Sequence, residues 1–358
     1  MNRVRVLVID DSAFSRRTIV KLLEEIPGVE VIGYAVNGEE GLKKAMDLRP
    51  DLITMDLEMP GMDGFTLLRI LMMACPVPVI VVSSHSEDDR VFKALELGAV
   101  DFVSKPARAL SDDLLGIRDE LQQKVGSILN LNLQGLKERT RVQENQASIL
   151  NLKNTRLPRG TRQRFEILAI GSSTGGPPAL QKILSQFPAA LPFSVVISQH
   201  MPAGFTKAFA ERLNRLLPFE VREATDGEQV NPATVYIAPG GMNMVFVQNK
   251  EKVVIRLKSP AKEDKYIPSV NAMLGSVAKV YGARALAVIL TGMGNDGSVG
   301  VKKIKEAGGG VIAEAEGSAV VFGMPREAIA TGVVDRILEL DNIAVGIIEY
   351  CGFKSTRT

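Results

Sequence analysis

The chain has 358 residues, 46% of them apolar and 23% charged, with 43 Lys and Arg against 41 Asp and Glu for a formal net charge of +2. That length favours two domains over one, and the composition is that of a globular protein in which no apolar run approaches the roughly 18 residues of a membrane span. The near balance of charge lacks the basic field of a dedicated nucleic-acid binder, and two cysteines, Cys75 and Cys351, exclude a disulfide framework or a cysteine metal site.

From Val4 onward, β-branched runs alternate with amphipathic stretches. VRVLVID, VEVIGYA, LITMDL, VPVIVVSS and DFVSKP read as five strands. Between them Phe14 to Glu25, Gly38 to Leu48, Gly64 to Ala74 and Asp88 to Leu97 carry helix-spaced apolar residues, with Gly98 at a helix C-cap. The alternation predicts a flavodoxin-like (βα)5 domain with a parallel sheet. Ser111 caps one more helix, along which Leu114, Ile117, Leu121 and Val125 recur on one face, and the domain is expected to span residues 1–125. Arg3 and Arg5 interrupt the first strand where a secretory leader would be apolar, which predicts a cytoplasmic protein.

In an open parallel sheet ligands sit beyond the carboxyl ends of the strands, and Asp10, Asp11, Asp56, Ser83 and Lys105 all fall there. Each Asp taken singly is as readily a turn former or cap as a site residue; together, three carboxylates repel one another and call for a hard divalent cation such as Mg²⁺. Asp56 then has the surroundings of a nucleophile toward a phosphodonor, with Lys105 and the metal offsetting phosphoryl charge. These residues, with Asp56 inside MDLEMPGMDG and the pair Lys105-Pro106, resemble those of response-regulator receiver domains. The resemblance implies that Asp56 is phosphorylated and that a metal site is formed by Asp10, Asp11, Asp56 and the backbone of Glu58. It also implies a switch made by Ser83 and Phe102 with Lys105, Phe102 standing where many receivers have Tyr.

Residues 126–164 are rich in Asn, Gln, Arg and Lys with weak apolar periodicity, and read as a linker. Its Arg156, Arg159, Arg162 and Arg164 are expected to be a solvated charged tether. From Phe165 the alternating pattern resumes, with ILAIGSS, FSVVISQH, TVYIAP, ALAVILTG and GGVIAEA as strands and Ala179 to Gln186 and Val299 to Glu306 among the helices. Residues 165–358 are therefore expected to form a second, doubly wound, mostly parallel α/β domain. MVFVQNKEKVVIRL predicts a hairpin turning at Asn249 to Glu251, which would bring antiparallel pairing into this sheet.

GSSTGG after ILAI fits the GxSxG turn that exposes a nucleophilic serine, here Ser173, and fits, less well, a glycine-rich cradle for phosphate. A serine hydroxyl needs a general base, most often His, held by a carboxylate. With only two histidines in the chain, His85 in the first domain and His200 at the end of FSVVISQH, His200 is the only candidate base in the serine's domain. Asp296 in TGMGNDG reaches the same sheet edge, and Gly292, Gly294 and Gly297 either allow close backbone approach there or, equally, only form turns. The order Ser, His, Asp differs from that of α/β-hydrolases, so lipase or esterase chemistry of that fold is not implied.

GSSTGG, QHMPAGFT, YIAPGG, LTGMGNDG and VVFGMPREAI, in this spacing, resemble the CheB-type chemotaxis protein-glutamate methylesterases, and with the receiver the likeness covers all but the linker. It implies Ser173 as nucleophile, His200 as base, Asp296 as its orienter, and backbone amides near Thr174 and Met293 as oxyanion donors. It implies hydrolysis of glutamate methyl esters, releasing methanol, and deamidation of glutamines on chemoreceptors, with no cofactor for that reaction. Implied partners are methylated chemoreceptors and a chemotaxis histidine kinase, without nucleic acid or membrane insertion, for an expected monomer. The chain departs from many relatives at Asn243, where they carry His, and over Ala313 to Ala319, where AEAEGSA replaces an Ala-Gln-Asp-Glu-Ala-Thr run. The expected regulation is a receiver that blocks the Ser173 cleft until Asp56 is phosphorylated. Two rival classes make other demands. A nucleic-acid output needs a basic recognition helix, which the second half lacks, and a nucleotide switch needs GSSTGG to hold phosphate with His200 incidental.

Overall fold

The computed structural model describes residues 3–83, 89–105, 111–128, 165–262 and 264–350. The expectations for His85, Pro106, Cys351 and linker residues 129–164 lie outside these. The chain divides into two compact units, Met1–Thr140 and Arg141–Thr358. No described helix is long and apolar enough to cross a membrane.

In the first unit β1 (Val4–Ile9), α1 (Ala13–Glu24), β2 (Val29–Ala35), α2 (Gly38–Leu48), β3 (Leu52–Asp56), α3 (Gly64–Ala74), β4 (Val79–Ser83), α4 (Asp89–Glu96), β5 (Asp101–Ser104) and α5 (Ser111–Ile128) follow in order. The strands pair in parallel as β2-β1-β3-β4-β5. Every residue of β3 and β4 is buried, as strands covered by helices on both faces demand. Helix starts carry their caps: Ser12, Asn37 and Asp63 accept from the amides of Ser15, Glu40 and Thr66. Helix α5 continues past residue 125, to Ile128.

The second unit contains β6 (Ile167–Ser172), α6 (Gly176–Leu184), β7 (Ser194–Gln199), α7 (Phe205–Leu216), β8 (Glu220–Glu223), β9 (Thr234–Ile237), β10 (Asn243–Asn249) and β11 (Lys252–Lys258). It continues with α8 (Val270–Tyr281), β12 (Ala285–Ile289), α9 (Ser298–Glu306), β13 (Gly310–Glu314), α10 (Met324–Ala330), β14 (Arg336–Leu338) and α11 (Leu340–Tyr350). Seven strands form one sheet in the order β14-β13-β12-β6-β7-β9-β8, every pairing parallel. The chain winds outward from β6 through β7 to one edge, then returns to β12 on the other side of β6. This creates a topological switch point at the carboxyl end of β6.

The hairpin expectation needs one correction. The hairpin forms, with Asn243 opposite Lys258 and Asn249 opposite Lys252, but as a separate two-stranded antiparallel sheet. Its Met244, Phe246 and Ile255 join the core that α8 contributes through Met273, Leu274 and Val277, so the ribbon is anchored by packing on a helix and not by pairing with the seven-stranded sheet. Strands β8 and β14 escaped the sequence reading because they are short edge strands with exposed positions, and carry little apolar periodicity.

Candidate active site

In the first unit, parallel register sets Ile9 of β1 beside Met55 of β3, so Asp10 and Asp56 leave adjacent strands together. Both are buried while Asp11 is exposed. Carboxylate oxygens of the three lie within 4.8 Å of one another, a donor set of hard oxygens that suits a divalent cation. Asp10 accepts from the Ser12 amide at 2.9 Å and the Ser15 hydroxyl at 2.6 Å. The Lys105 ammonium hydrogen-bonds Asp56 and lies 3.3 Å from Asp10.

Burial pushes the Asp56 carboxyl above the ordinary carboxylate range, against the opposing pull of Lys105. Burial also pulls the Lys105 ammonium down, but hydrogen bonds and charge from Asp56 and Asp10 together outweigh it and leave that group above its usual value. The Glu58 amide donates to Asp56 at 3.2 Å. Ser83 ends β4, and Phe102 lies inside the fold with the Lys124 ammonium 4.8 Å from its ring centroid.

In the second unit Ser173 follows β6 and His200 follows β7. The two strands run side by side, Ser172 opposite Gln199, and the His200 amide donates to the Ser172 carbonyl at 3.0 Å. Asp296 comes from the loop after β12, on the other flank of β6. Its carboxylate lies 2.9 Å from His200 Nε2, in a hydrogen bond whose acceptor is Asp296 Oδ2. Asp296 is buried and also accepts from the amides of Val270 at 2.7 Å, Asn271 at 2.8 Å and Gly297 at 3.1 Å, and from the Ser269 hydroxyl at 3.3 Å. Two of those donors open α8, so the carboxylate sits on a helix N-terminus that favours an anion.

With Nε2 committed to Asp296, Nδ1 is the imidazole nitrogen left to accept a proton. Ser173 is half-buried, and its hydroxyl makes no hydrogen bond among the described residues; catalytic hydrogen bonds commonly tighten only when substrate is bound. Thr174 is buried beside it, and the Met293 amide donates no hydrogen bond among the described residues. Gly292 is required by proximity, since a Cβ there would lie 2.8 Å from Ser173 Cβ. The Ser173 and Gly176 amides are engaged by the carbonyls of Thr291 and Ser173, which removes two of the donors a phosphate cradle would use.

Gln199 is a residue the sequence reading missed. Buried beneath the nucleophile, its amide accepts from the Ser172 hydroxyl at 2.6 Å and donates to the carbonyls of Ser173 and His200, each at 3.0 Å. It thus joins the two strand ends that carry Ser173 and His200. Gln199→Leu is expected to lower the denaturation free energy by about 2–3 kcal/mol, because those buried groups lose their partner, and to reduce turnover; chemical denaturation and turnover assays check both.

Two further buried groups brace the same turn. The Glu314 carboxylate accepts from the Thr291 amide at 2.7 Å, and the Thr291 hydroxyl donates to the Thr174 carbonyl at 2.9 Å. Glu314 lies in the departing AEAEGSA run, so that difference sits one residue removed from the nucleophile turn.

Residues 168–347 match the family model described as CheB methylesterase, and residues 6–114 match that of the response regulator receiver domain. A Geobacter sulfurreducens protein named protein-glutamate methylesterase/protein-glutamine glutaminase 3 is 56% identical over 371 residues, 99% of each chain. A Myxococcus xanthus protein named protein-glutamate methylesterase/protein-glutamine glutaminase 1 is 45% identical over 340 residues, 95% of each. The crystal structure of the Thermotoga maritima CheB methylesterase catalytic domain superimposes with a TM-score of 0.51 at 43% identity, covering 52% of this chain and 98% of that one.

Proposed function

This chain belongs to the CheB methylesterase family, with a response regulator receiver domain in front, and on that premise we propose that Ser173, His200 and Asp296 carry its reaction. The protein is a protein-glutamate methylesterase/protein-glutamine glutaminase under phosphorylation control, acting in chemotaxis. The observation that carries the residue assignment is the 2.9 Å hydrogen bond from His200 to Asp296 beside the strand end that bears Ser173.

In this reading the Ser173 hydroxyl attacks the ester carbonyl of a methylated glutamate as His200 takes its proton on Nδ1. Asp296 holds the ring and stabilises the imidazolium. Amides near Thr174 and Met293 receive the oxyanion. Collapse transfers the proton to the departing methoxide, giving methanol and an acyl-serine. Water, deprotonated by His200, then releases the glutamate carboxylate and restores the serine. With glutamine the first leaving group is ammonia, and the same intermediate serves.

The receiver takes its phosphoryl group from a kinase partner, and the catalytic unit acts on chemoreceptors. Residues 1–125 would form the receiver, 126–164 the linker and 165–358 the catalytic domain. Asp56 would be the acceptor, with Asp10, Asp11, Asp56 and the backbone of Glu58 holding Mg²⁺. Their oxygen donors suit that ion, and it would offset the charge of the incoming phosphoryl group. Ser83, Phe102 and Lys105 would relay the change. In this reading the unphosphorylated receiver covers the Ser173 cleft. Turning such a balance from about 1:99 to about 99:1 takes about 5.5 kcal/mol, so partial activation is expected. A small phosphodonor with Mg²⁺ should raise methanol release by the full chain, Asp56→Asn should lose that rise, and residues 165–358 alone should be at least as active as the activated chain. Isolated residues 165–358 no more active than the unphosphorylated chain would contradict occlusion.

A further inference from the structure

The described residues place one aromatic ring against the reactive histidine. The ring of Tyr266 lies flat on the His200 imidazole, with centroids 5.1 Å apart and planes inclined by 5°. Tyr266 is half-buried and belongs to the segment between β11 and α8, outside all the motifs that carry Ser173, His200 and Asp296. Its hydroxyl reaches the loop of Asp296. A Cβ added at Gly294, where φ is +83°, would stand 2.1 Å from the Tyr266 oxygen, so that glycine is the space into which the tyrosine is set.

The segment is fastened on both sides of the site. The Pro268 carbonyl accepts from the hydroxyl of Ser198, two residues before His200 on β7, at 3.0 Å. The Ser269 hydroxyl reaches Asp296 at 3.3 Å, and the Ser269 amide donates to Asn243 at 2.8 Å. Asn243 in turn donates to Asp264 at 2.7 Å. The departure from His at position 243 therefore staples the chain on either side of Tyr266. The charged groups facing this ring pair are Asp296, on the imidazole, and the Lys265 ammonium, 5.4 Å from the tyrosine centroid.

An imidazole is free to turn about its bond to Cβ, and only one ring orientation keeps one nitrogen on the carboxylate and the other toward the hydroxyl. One hydrogen bond to Asp296 leaves the ring plane free to tilt about that contact. A flat aromatic surface removes that freedom. We propose that Tyr266 is a positioning residue for the hydrolysis: its ring, stacked on the imidazole and braced against Gly294, keeps His200 Nε2 on Asp296 and Nδ1 turned to the Ser173 hydroxyl. This rests on the triad reading above and names a residue that supports it.

The test uses the full chain activated by a small phosphodonor with Mg²⁺, and compares Tyr266→Leu, Tyr266→Met and Tyr266→Phe. Methanol release from methylated receptor gives kcat and KM, and labelling of Ser173 by a fluorophosphonate, normalised to the native fraction, reports activation of the nucleophile. Tyr266→Leu and Tyr266→Met should lower kcat and the labelling rate about three- to ten-fold with KM little changed, while Tyr266→Phe, which keeps the ring, stays within about two-fold of the parent. Should the leucine variant lose its fold, the methionine and phenylalanine variants decide. Unchanged kcat in the non-aromatic variants overturns the proposal. So does an equal loss in Tyr266→Phe, which would assign the effect to the hydroxyl, or a rise in KM alone, which would make Tyr266 a substrate contact. Failure of the parent protein to release methanol would count against the triad reading instead.

Discussion

Ser173→Ala is expected to abolish methanol release, lowering turnover by about five to six orders of magnitude, while leaving the protein folded. The loss is large because the remaining groups have nothing to activate: His200 can accept a proton and Asp296 can hold the ring, but no acyl-serine forms. What remains is the modest rate that oxyanion donors and substrate positioning supply. The fold should survive because the Ser173 hydroxyl makes no hydrogen bond among the described residues and the side chain is half-buried. A stability change within about 0.5 kcal/mol follows. Turnover of a methylated receptor, read beside a thermal melt, separates this outcome from simple unfolding. The same variant distinguishes the esterase from a nucleotide switch, since alanine leaves every backbone amide of GSSTGG in place.

Asp296→Asn should cost about 10⁴-fold in kcat and, unlike the serine change, should also weaken the fold. The carboxylate accepts from the amides of Val270, Asn271 and Gly297, the hydroxyl of Ser269 and the imidazole of His200. Asparagine offers one accepting oxygen and sets an NH₂ against donors. The imidazole is then held in the wrong proton arrangement, and buried amides at the start of α8 lose their partner. We expect destabilisation of about 2–5 kcal/mol, the range for hydrogen bonds to a charged, buried group. Chemical denaturation measured alongside kcat checks both parts. A fully active Asp296→Asn would remove Asp296 from the reaction.

Much of the fold was legible because the sheet strands are buried on both faces, and so read as unbroken apolar runs such as ILAIGS and VIVVS. The candidate site was legible because parallel sheets gather strand ends at one edge, and because the chain has a single histidine in the relevant half. Gln199 was hidden by its own neighbour: next to His200 it reads as another polar strand-end residue, and only the approach of β6 to β7 shows it joining both strands. Tyr266 was invisible for a different reason. It lies more than sixty residues from His200 in a segment without periodicity, and stacking between such residues follows from tertiary structure that no local pattern encodes. Asn243 was visible as a departure from relatives, but its task of holding Ser269 emerged only from the hydrogen bonds. The hairpin was recognised correctly as a hairpin, while its place outside the main sheet depended on α8 offering an apolar surface to Met244 and Phe246.

The most direct measurement is methanol release from methylated chemoreceptor by the full chain, with and without a small phosphodonor and Mg²⁺, beside Ser173→Ala. The account predicts release by the parent chain, an increase on adding the phosphodonor, and none from the variant under either condition. Release by Ser173→Ala at the parent rate, or no release by the parent chain with the phosphodonor present, would contradict it.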